Sequence, residues 1–257
     1  MVCSQSLCAE QNLLFYGILP FMSEIKPADF AALYARFQSP ITVFDCGAKC
    51  APYNERGVPF CCDTGHAVPT AYQAEWDYLQ VNTDLWRPWQ AEDPKETARL
   101  QTQTPPGQVL IGCQGHQLCQ RGFRSITCRA FPFFPYITKE SKFAGLSYYW
   151  EYEDRCWVVS NLQAISPEYR TQFIAAYDFL FEQMPEEFEN FQRHSAHMRR
   201  SFARRRRAIP LLHRNGGAYK VSPRSGRLRS IPVENLPKFG PYRLAAELPF
   251  PEEFNTE

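Results

Sequence analysis

Seven of the ten cysteines in this chain of 257 residues fall in two short windows, and that clustering restricts the fold more than any other feature. The first window is Cys46-Gly-Ala-Lys-Cys50 followed by the adjacent pair Cys61-Cys62. The second holds Cys113, Cys119 and Cys128, the last inside Cys128-Arg-Ala-Phe-Pro-Phe. Thiolates carried on separate loops must converge to chelate one soft metal ion or cluster, so those loops are committed to a shared geometry. Cys46 and Cys50 are four apart and can meet on one face of a helical turn or wrap a loop. Cys61 and Cys62 are awkward for one ion, because adjacent side chains in extended chain point to opposite faces. They share a site only from a turn, or else serve two neighbouring sites. The pattern leans toward a polynuclear or two-site centre.

With Cys156 added, the candidate metal ligands are Cys46, Cys50, Cys61, Cys62, Cys113, Cys119, Cys128 and Cys156. Tetrahedral sites need four ligands each, so these suffice for two zinc ions or two iron–sulfur clusters. His66 and His116 are spare nitrogen donors, although a lone loop histidine is more often simply exposed or hydrogen-bonded. Cys3 and Cys8 stand apart, as free thiols or part of the N-terminal packing. Two other readings stay open. Buried cysteines can act as small hydrophobes, which a C-x3-C and a CC pair beside polar loop residues fit poorly. Disulfides need an oxidising compartment, and no secretory signal is visible: residues 1–8 lack a positive n-region, and the apolar run from Leu13 to Met22 is broken by Pro20. The expected compartment is the reducing cytoplasm, where clustered cysteines favour metal. No stretch approaches the ~20 apolar residues of a membrane span, so no membrane partner is expected.

The spacing predicts a helix over Pro27–Phe37, with Phe30, Leu33, Tyr34 and Phe37 on one face. Ile41–Phe44 reads as a short strand leading into the first cysteines, and 51–60 as a loop. Thr70 can cap a helix, with Gln73 completing a capping box and Tyr72, Trp76 and Leu79 buried. Asp93-Pro94 opens another helix, and Val109–Ile111 is a strand delivering Cys113. Phe131–Tyr136 is too proline-rich for a central strand, whereas Phe143–Tyr152 reads as a strand after a turn at Thr138–Lys142. Ser166 caps a helix with Tyr169, Phe173, Tyr177 and Leu180 inward; Pro185 starts another, with Phe188, Phe191, Met198 and Phe202 inward and Arg204–Arg207 at its end. Asn215-Gly-Gly217 marks a hairpin. With 44 % apolar residues, including 20 Phe, 13 Tyr and 5 Trp, the chain has ample material for a core that does not depend on metal.

Charge is unevenly spread. From Asn190 to Val233 there is no acid but twelve Lys and Arg, between Arg193 and Arg229; with +1 for the whole chain, the remainder carries −11. Such a segment can bind nucleic acid or an acidic protein through contacts that weaken with salt, or pair with the chain's own acidic body. Only Phe202 and Tyr219 there suit base stacking.

Cys46-x3-Cys50 … Cys61-Cys62, then a threonine-capped helix with Glu75, then Cys113 … Cys119 … Cys128-Arg-Ala-Phe-Pro132, resembles the YkgJ-like cysteine-cluster proteins, a family described as a zinc- or iron-chelating domain. The resemblance covers roughly residues 40–160 and is most specific at Cys128–Pro132 and the CC pair. The chain departs from the family in the ten residues between Cys50 and Cys61, where many members have two or three. It departs again between Cys119 and Cys128, where Arg121-Gly-Phe-Arg-Ser-Ile-Thr replaces the usual Ile-Tyr and Arg-Pro signatures. More distantly the cluster is similar to that of flagellin lysine N-methylase, which is associated with an iron–sulfur centre.

The expected architecture is α+β: an N-terminal segment (1–40), a small irregular cysteine-cluster metal-binding domain of short strands and helices (41–160), a helical hairpin packed on it (161–208), and a basic, then proline-rich C-terminal tail (209–257). The expected function is chelation of zinc or an iron–sulfur centre, with Arg129 tuning the thiolates. One alternative, implied by the resemblance alone, is an iron–sulfur-dependent methyltransferase-like enzyme acting on protein lysine. No glycine-rich cofactor loop, Ser/His/Asp set or carboxylate pair argues for catalysis independently. The other alternative is a metal-stabilised protein that binds nucleic acid or an acidic partner through Arg193–Arg229.

Overall fold

The computed structural model describes residues 25–243 and the backbone of residues 2 and 3. The readings for Cys8, the Cys3 side chain and residues 244–257 lie outside the described residues. Helix α1 (Pro27–Arg36) buries Phe30, Leu33 and Tyr34, as the 3.6-residue period predicts. The Lys26 N–H donates to Asp29 Oδ2 at 2.8 Å, closing its first turn.

Ile41–Phe44 is not a strand. The Thr42 hydroxyl donates to the Phe44 carbonyl at 2.6 Å, a local bond that folds the segment back on itself and competes with ladder pairing. The Asp45 carboxylate then accepts from Gly47 N–H at 3.0 Å at the head of the one-turn helix α2 (Gly47–Cys50).

Residues 2 and 3 form strand β1 (Val2–Cys3), antiparallel to β2 (Ala67–Val68). The predicted Thr70 cap is also corrected. Thr70 lies in strand β3 (Thr70–Tyr72), and helix α3 (Gln73–Asn82) is capped at Tyr72, whose N–H donates to Glu75 at 3.2 Å. Strand β4 (Trp86–Pro88) and helix α4 (Pro94–Gln103) follow, the latter capped by Asp93 through Lys95 N–H at 2.9 Å. Strand β5 (Gln108–Cys113) then runs antiparallel between β3 and β4, with Trp86 opposite Cys113.

A short helix α5 (Ile126–Ala130), capped by Ser125, leads to β6 (Phe133–Ile137) and β7 (Phe143–Tyr148). Helices α6 (Pro167–Gln183), capped by Ser166, and α7 (Pro185–Arg204) form the expected hairpin. The following residues are not a tail. They form strands β8 (Ile209–His213), β9 (Ala218–Val221) and β10 (Leu228–Ile231), which extend β6 and β7 into a five-stranded antiparallel sheet of order β10-β9-β8-β7-β6. Their burial shows why: Ile209, Leu211 and Leu212 of β8 and Val221 of β9 are almost fully buried and belong to the main core.

Strand β6, with Pro135, is an edge strand, where a missing donor is tolerated. Helix α7 covers it: Ser195 Oγ accepts from Ile137 N–H at 2.9 Å, and the buried Arg199 donates to the Ile137 carbonyl at 2.7 Å. Backbone groups that an open edge would expose are thereby paired. An aromatic seam from Phe37 through Tyr169, Phe173 and Tyr177 to Phe191 joins α1, α6 and α7.

Strand β7 approaches β8 most closely at Gly145, which has φ +142°; a Cβ there would stand 2.2 Å from the Leu212 carbonyl oxygen. Gly145→Ala should therefore destabilise the fold by more than about 2 kcal/mol in urea unfolding, because neither the dihedral nor the opposing backbone can yield cheaply. A midpoint unchanged from the parent chain would show that the two strands can separate there at little cost.

Candidate metal centre

The cysteine loops are held by buried polar groups that the spacing of the thiols alone does not reveal. Between Cys50 and Cys61, Asp63 accepts from Asn54 Nδ2 at 3.1 Å, Arg56 Nη1 at 3.0 Å and Gly65 N–H at 2.9 Å, and Asn54 in turn donates to the Val58 carbonyl. These bonds hold down the ten-residue insertion and present Phe60–Cys62 as a 3-10 turn. From that turn the two adjacent sulfurs stand 3.9 Å apart.

The turn divides the eight thiols into two groups. Cys46, Cys50, Cys61 and Cys156 line one cavity of about 30 Å³, walled by Ile41, Phe60, Phe131 and Val158. Cys62 lies outside that lining and within electrostatic reach of Cys113 and Cys128 as well as of Cys50 and Cys61, and Cys119 lies within reach of Cys113 and Cys128. The second group is assembled from the end of β5, the loop after the 116–118 turn, and helix α5. As placed, no three His, Cys, Asp or Glu side chains among the described residues stand close enough to hold one metal ion. Closing either group on zinc, with Zn–S of about 2.3 Å, requires its sulfurs to draw inward. All eight thiols are free.

As free acids, six of these thiols hold their protons more tightly than an ordinary cysteine. Burial pushes Cys46 up to about 11 and Cys128 up to about 12, and raises Cys50, Cys113 and Cys156 as well. Within the adjacent pair, the hydrogen bond between the two thiols lowers Cys62, with help from the Arg124 charge, and raises Cys61. Backbone N–H groups are already aimed at several sulfurs: Phe60 at Cys50, Gly115 at Cys113, and Val158 and Val159 at Cys156. Such donors favour a thiolate over a thiol.

The arginine beside the sulfurs is Arg124, not Arg129. Arg124 Nε donates to Cys119 Sγ at 3.1 Å, and no carboxylate pairs with it among the described residues. Burial opposes its charge, while Cys128, Cys119 and Cys62 raise its pKa above the ordinary arginine value. Arg129, expected to tune the thiolates, instead donates to the carbonyls of Phe37, Gly122 (2.7 Å) and Arg124 (2.8 Å), and its guanidinium stacks on the Tyr34 ring at 4.3 Å. It braces α1 against the loop that carries Arg124. The usable signal for Arg124 was its spacing, four residues before Cys128. His66 turns toward Asp63 and Arg155 and packs on Phe60, and His116 is exposed on the 116–118 turn.

Glu75 anchors the second group from beneath. Fully buried, it accepts from the Tyr34 hydroxyl at 2.6 Å, from Tyr72 N–H, and from Ile126 N–H at 2.6 Å, the first residue of the helix bearing Cys128. Part of the basic segment is engaged internally: Arg207 grips Glu153 through two 2.8 Å bonds, Arg214 pairs with Asp178 at 2.9 Å, and Arg199 is buried. No helix among the described residues is long and apolar enough to cross a membrane. Comparisons with protein-family models, curated proteins and solved structures return no match.

Burial raises the Glu75 carboxyl from its ordinary 4.5 to about 7, against the pull of its three donors and of Arg129. The folded chain thus keeps a proton that the unfolded chain loses across that window, so stability falls as pH rises from 4.5 to 7, by about 3 kcal/mol from this group. Denaturant titrations of the parent chain and Glu75→Gln at pH 5 and pH 8 should show that slope in the parent and its loss in the variant. Parallel slopes would assign the pH dependence to other groups.

Proposed function

We propose that this chain is a metal-binding protein whose eight thiols form two adjacent four-thiol centres, Cys46/Cys50/Cys61/Cys156 and Cys62/Cys113/Cys119/Cys128, for zinc or iron–sulfur clusters. The reading agrees with what the YkgJ-like resemblance implies. The observation that carries it is the half-buried Arg124 guanidinium set against the second group with no carboxylate partner among the described residues. If the surrounding thiols stay neutral, a partly desolvated cation is left uncompensated, at a cost on the order of several kcal/mol. Four thiolates on a divalent ion carry net negative charge, which that guanidinium would balance.

The donor set fits. The donors proposed for each group are all sulfur, as soft metals and iron–sulfur clusters favour, with the Asp45 carboxylate within electrostatic reach of Cys46, Cys50 and Cys62. Bound zinc would supply folding energy, and a bound iron–sulfur cluster electron-transfer capacity. The chain's own part is to bring four sulfurs together, aim N–H groups at them, and surrender their protons on loading. Since the free thiols sit high, loading should release protons and weaken as pH falls.

Anaerobic purification followed by visible spectroscopy and assay of zinc, iron and acid-labile sulfide tests the reading. The expected result is two occupied centres per chain, colourless with zinc or brown with iron and sulfide. Cys62→Ser or Cys128→Ser should empty the second centre and leave the first, and Cys61→Ser should do the reverse, whereas Cys3→Ser should change neither. A chain purified without metal, which takes up none on addition of zinc or on cluster reconstitution, would overturn the proposal.

A further inference from the structure

The two thiol groups face different surroundings. The cavity of the first is small and walled mainly by apolar side chains. The second opens at Cys62 and Cys113 into a cleft of about 380 Å³, within the range of roughly 300–1,000 Å³ usual for small-molecule sites. Strand β4 and the residues just after it form one wall, with Arg87, Trp89 and Gln90; Thr64 faces them, and Gly112 contributes from β5. The register places Arg87 directly opposite Gly112. Trp89 N–H donates to the Leu110 carbonyl at 3.1 Å, and the indole rests on the bare Gly112, where a Cβ would meet Trp89 Cδ1 at 3.3 Å.

The chemistry of this lining is one-sided. Arg87 offers a guanidinium, Trp89 an indole N–H, Gln90 an amide and Thr64 a hydroxyl, and none of these side chains has a hydrogen-bond or ion-pair partner among the described residues. Among the described residues, none lining the cleft is acidic. Arg124 adds a second positive charge at the sulfurs. A wall rich in donors, with its one guanidinium, Arg87, unmatched among the described residues, complements an oxyanion, and a planar guanidinium suits carboxylate or phosphate bidentately.

We propose that the cleft between Arg87 and Thr64 binds a small oxyanion, a carboxylate or phosphate on a compact body, and holds it beside Cys62 and Cys113. Arg87 is its charge partner and the Trp89 indole packs against its body. That the bound anion lies next to a metal centre rests on the metal-binding reading above; the anion site itself does not.

The test is titration calorimetry on the full-length, anaerobically purified chain in a non-phosphate buffer at fixed ionic strength, with metal content measured on the same sample. The probes are benzoate, phenyl phosphate and inorganic phosphate, with benzylammonium as the cationic control. At least one of the three anions should bind and benzylammonium should not. Arg87→Gln, an exposed position whose loss should leave the melting temperature unchanged, should weaken binding at least tenfold. Trp89→Phe should weaken the aromatic anions more than inorganic phosphate. Equal binding of cation and anions, binding unaffected by Arg87→Gln, or no binding of any anion would overturn the proposal. Anion binding that depends on Arg87 in a chain that takes up no metal even on zinc addition or cluster reconstitution would sink the metal reading and leave the cleft standing; a metal-loaded chain that binds no anion would do the opposite.

Discussion

Eight thiols and one guanidinium brought to neighbouring points of a folded chain are the constraint around which the rest is arranged. A thiol is a weak acid, and burial makes it weaker, so the sulfurs repel no one while protonated. Arg124 is different, because it stays charged under all ordinary conditions. Its contact with Cys119, and the reach of its field to Cys62 and Cys128, make sense as half of a charge balance. The scaffold supports that balance from several directions at once. Arg129 fixes the loop that carries Arg124 by donating to three carbonyls, and Glu75 holds the first N–H of the helix that presents Cys128.

The fold does not need the sulfurs in order to have a core. Tyr34, Phe37, Phe133, Tyr169, Phe173, Met198 and Phe202 are almost fully buried in one cluster that spans α1, the large sheet and both long helices. Small metal-dependent domains behave otherwise, remaining unfolded until the ion arrives because they lack such a core. Here the cysteine loops are attached to a body that can fold around its aromatics. If the proposed centres are filled, removing the metal would loosen the loops at 45–65 and 113–128 more than the helical hairpin, since most of the apolar burial lies away from them.

The parts of the structure legible in the sequence were those governed by short-range rules. Ser166, Asp93 and the prolines after them announce helix starts, and the helical spacing of Tyr169, Phe173, Tyr177 and Leu180 announces which face is buried. For the CC pair the sequence leaves open a shared site from a turn or two neighbouring sites, and the structure sets the pair in a 3-10 turn with its sulfurs 3.9 Å apart. What failed depended on partners far away in sequence. Ile41–Phe44 looks like a strand by composition, yet the Ile41 carbonyl is taken by Ser166 N–H at 2.9 Å rather than by a neighbouring strand. Thr70 has the chemistry of a cap, but its hydroxyl is directed across to Gln108 at 2.8 Å. Arg129 sits next to a cysteine in sequence, and a helical turn carries its head to the other side.

The basic segment is distributed in the fold in a way its sequence does not reveal. Read as a run, twelve cations with no acid between them suggest a surface made for a polyanion. Folded, they are dispersed over helix α7, strands β9 and β10 and the turns between these elements, and several of them have structural work. Arg199 satisfies an edge-strand carbonyl, Arg207 ties α7 to Glu153, and Arg214 ties the β8–β9 hairpin to α6 through Asp178. On the β9–β10 edge, Lys220 lies directly opposite Arg229. Like charges across a strand pair are mildly unfavourable. Lysine and arginine at an open sheet edge also discourage a second chain from adding a strand. Lys220 and Arg229 thereby protect the last strand of the sheet, while Arg199, Arg207 and Arg214 are engaged within the fold.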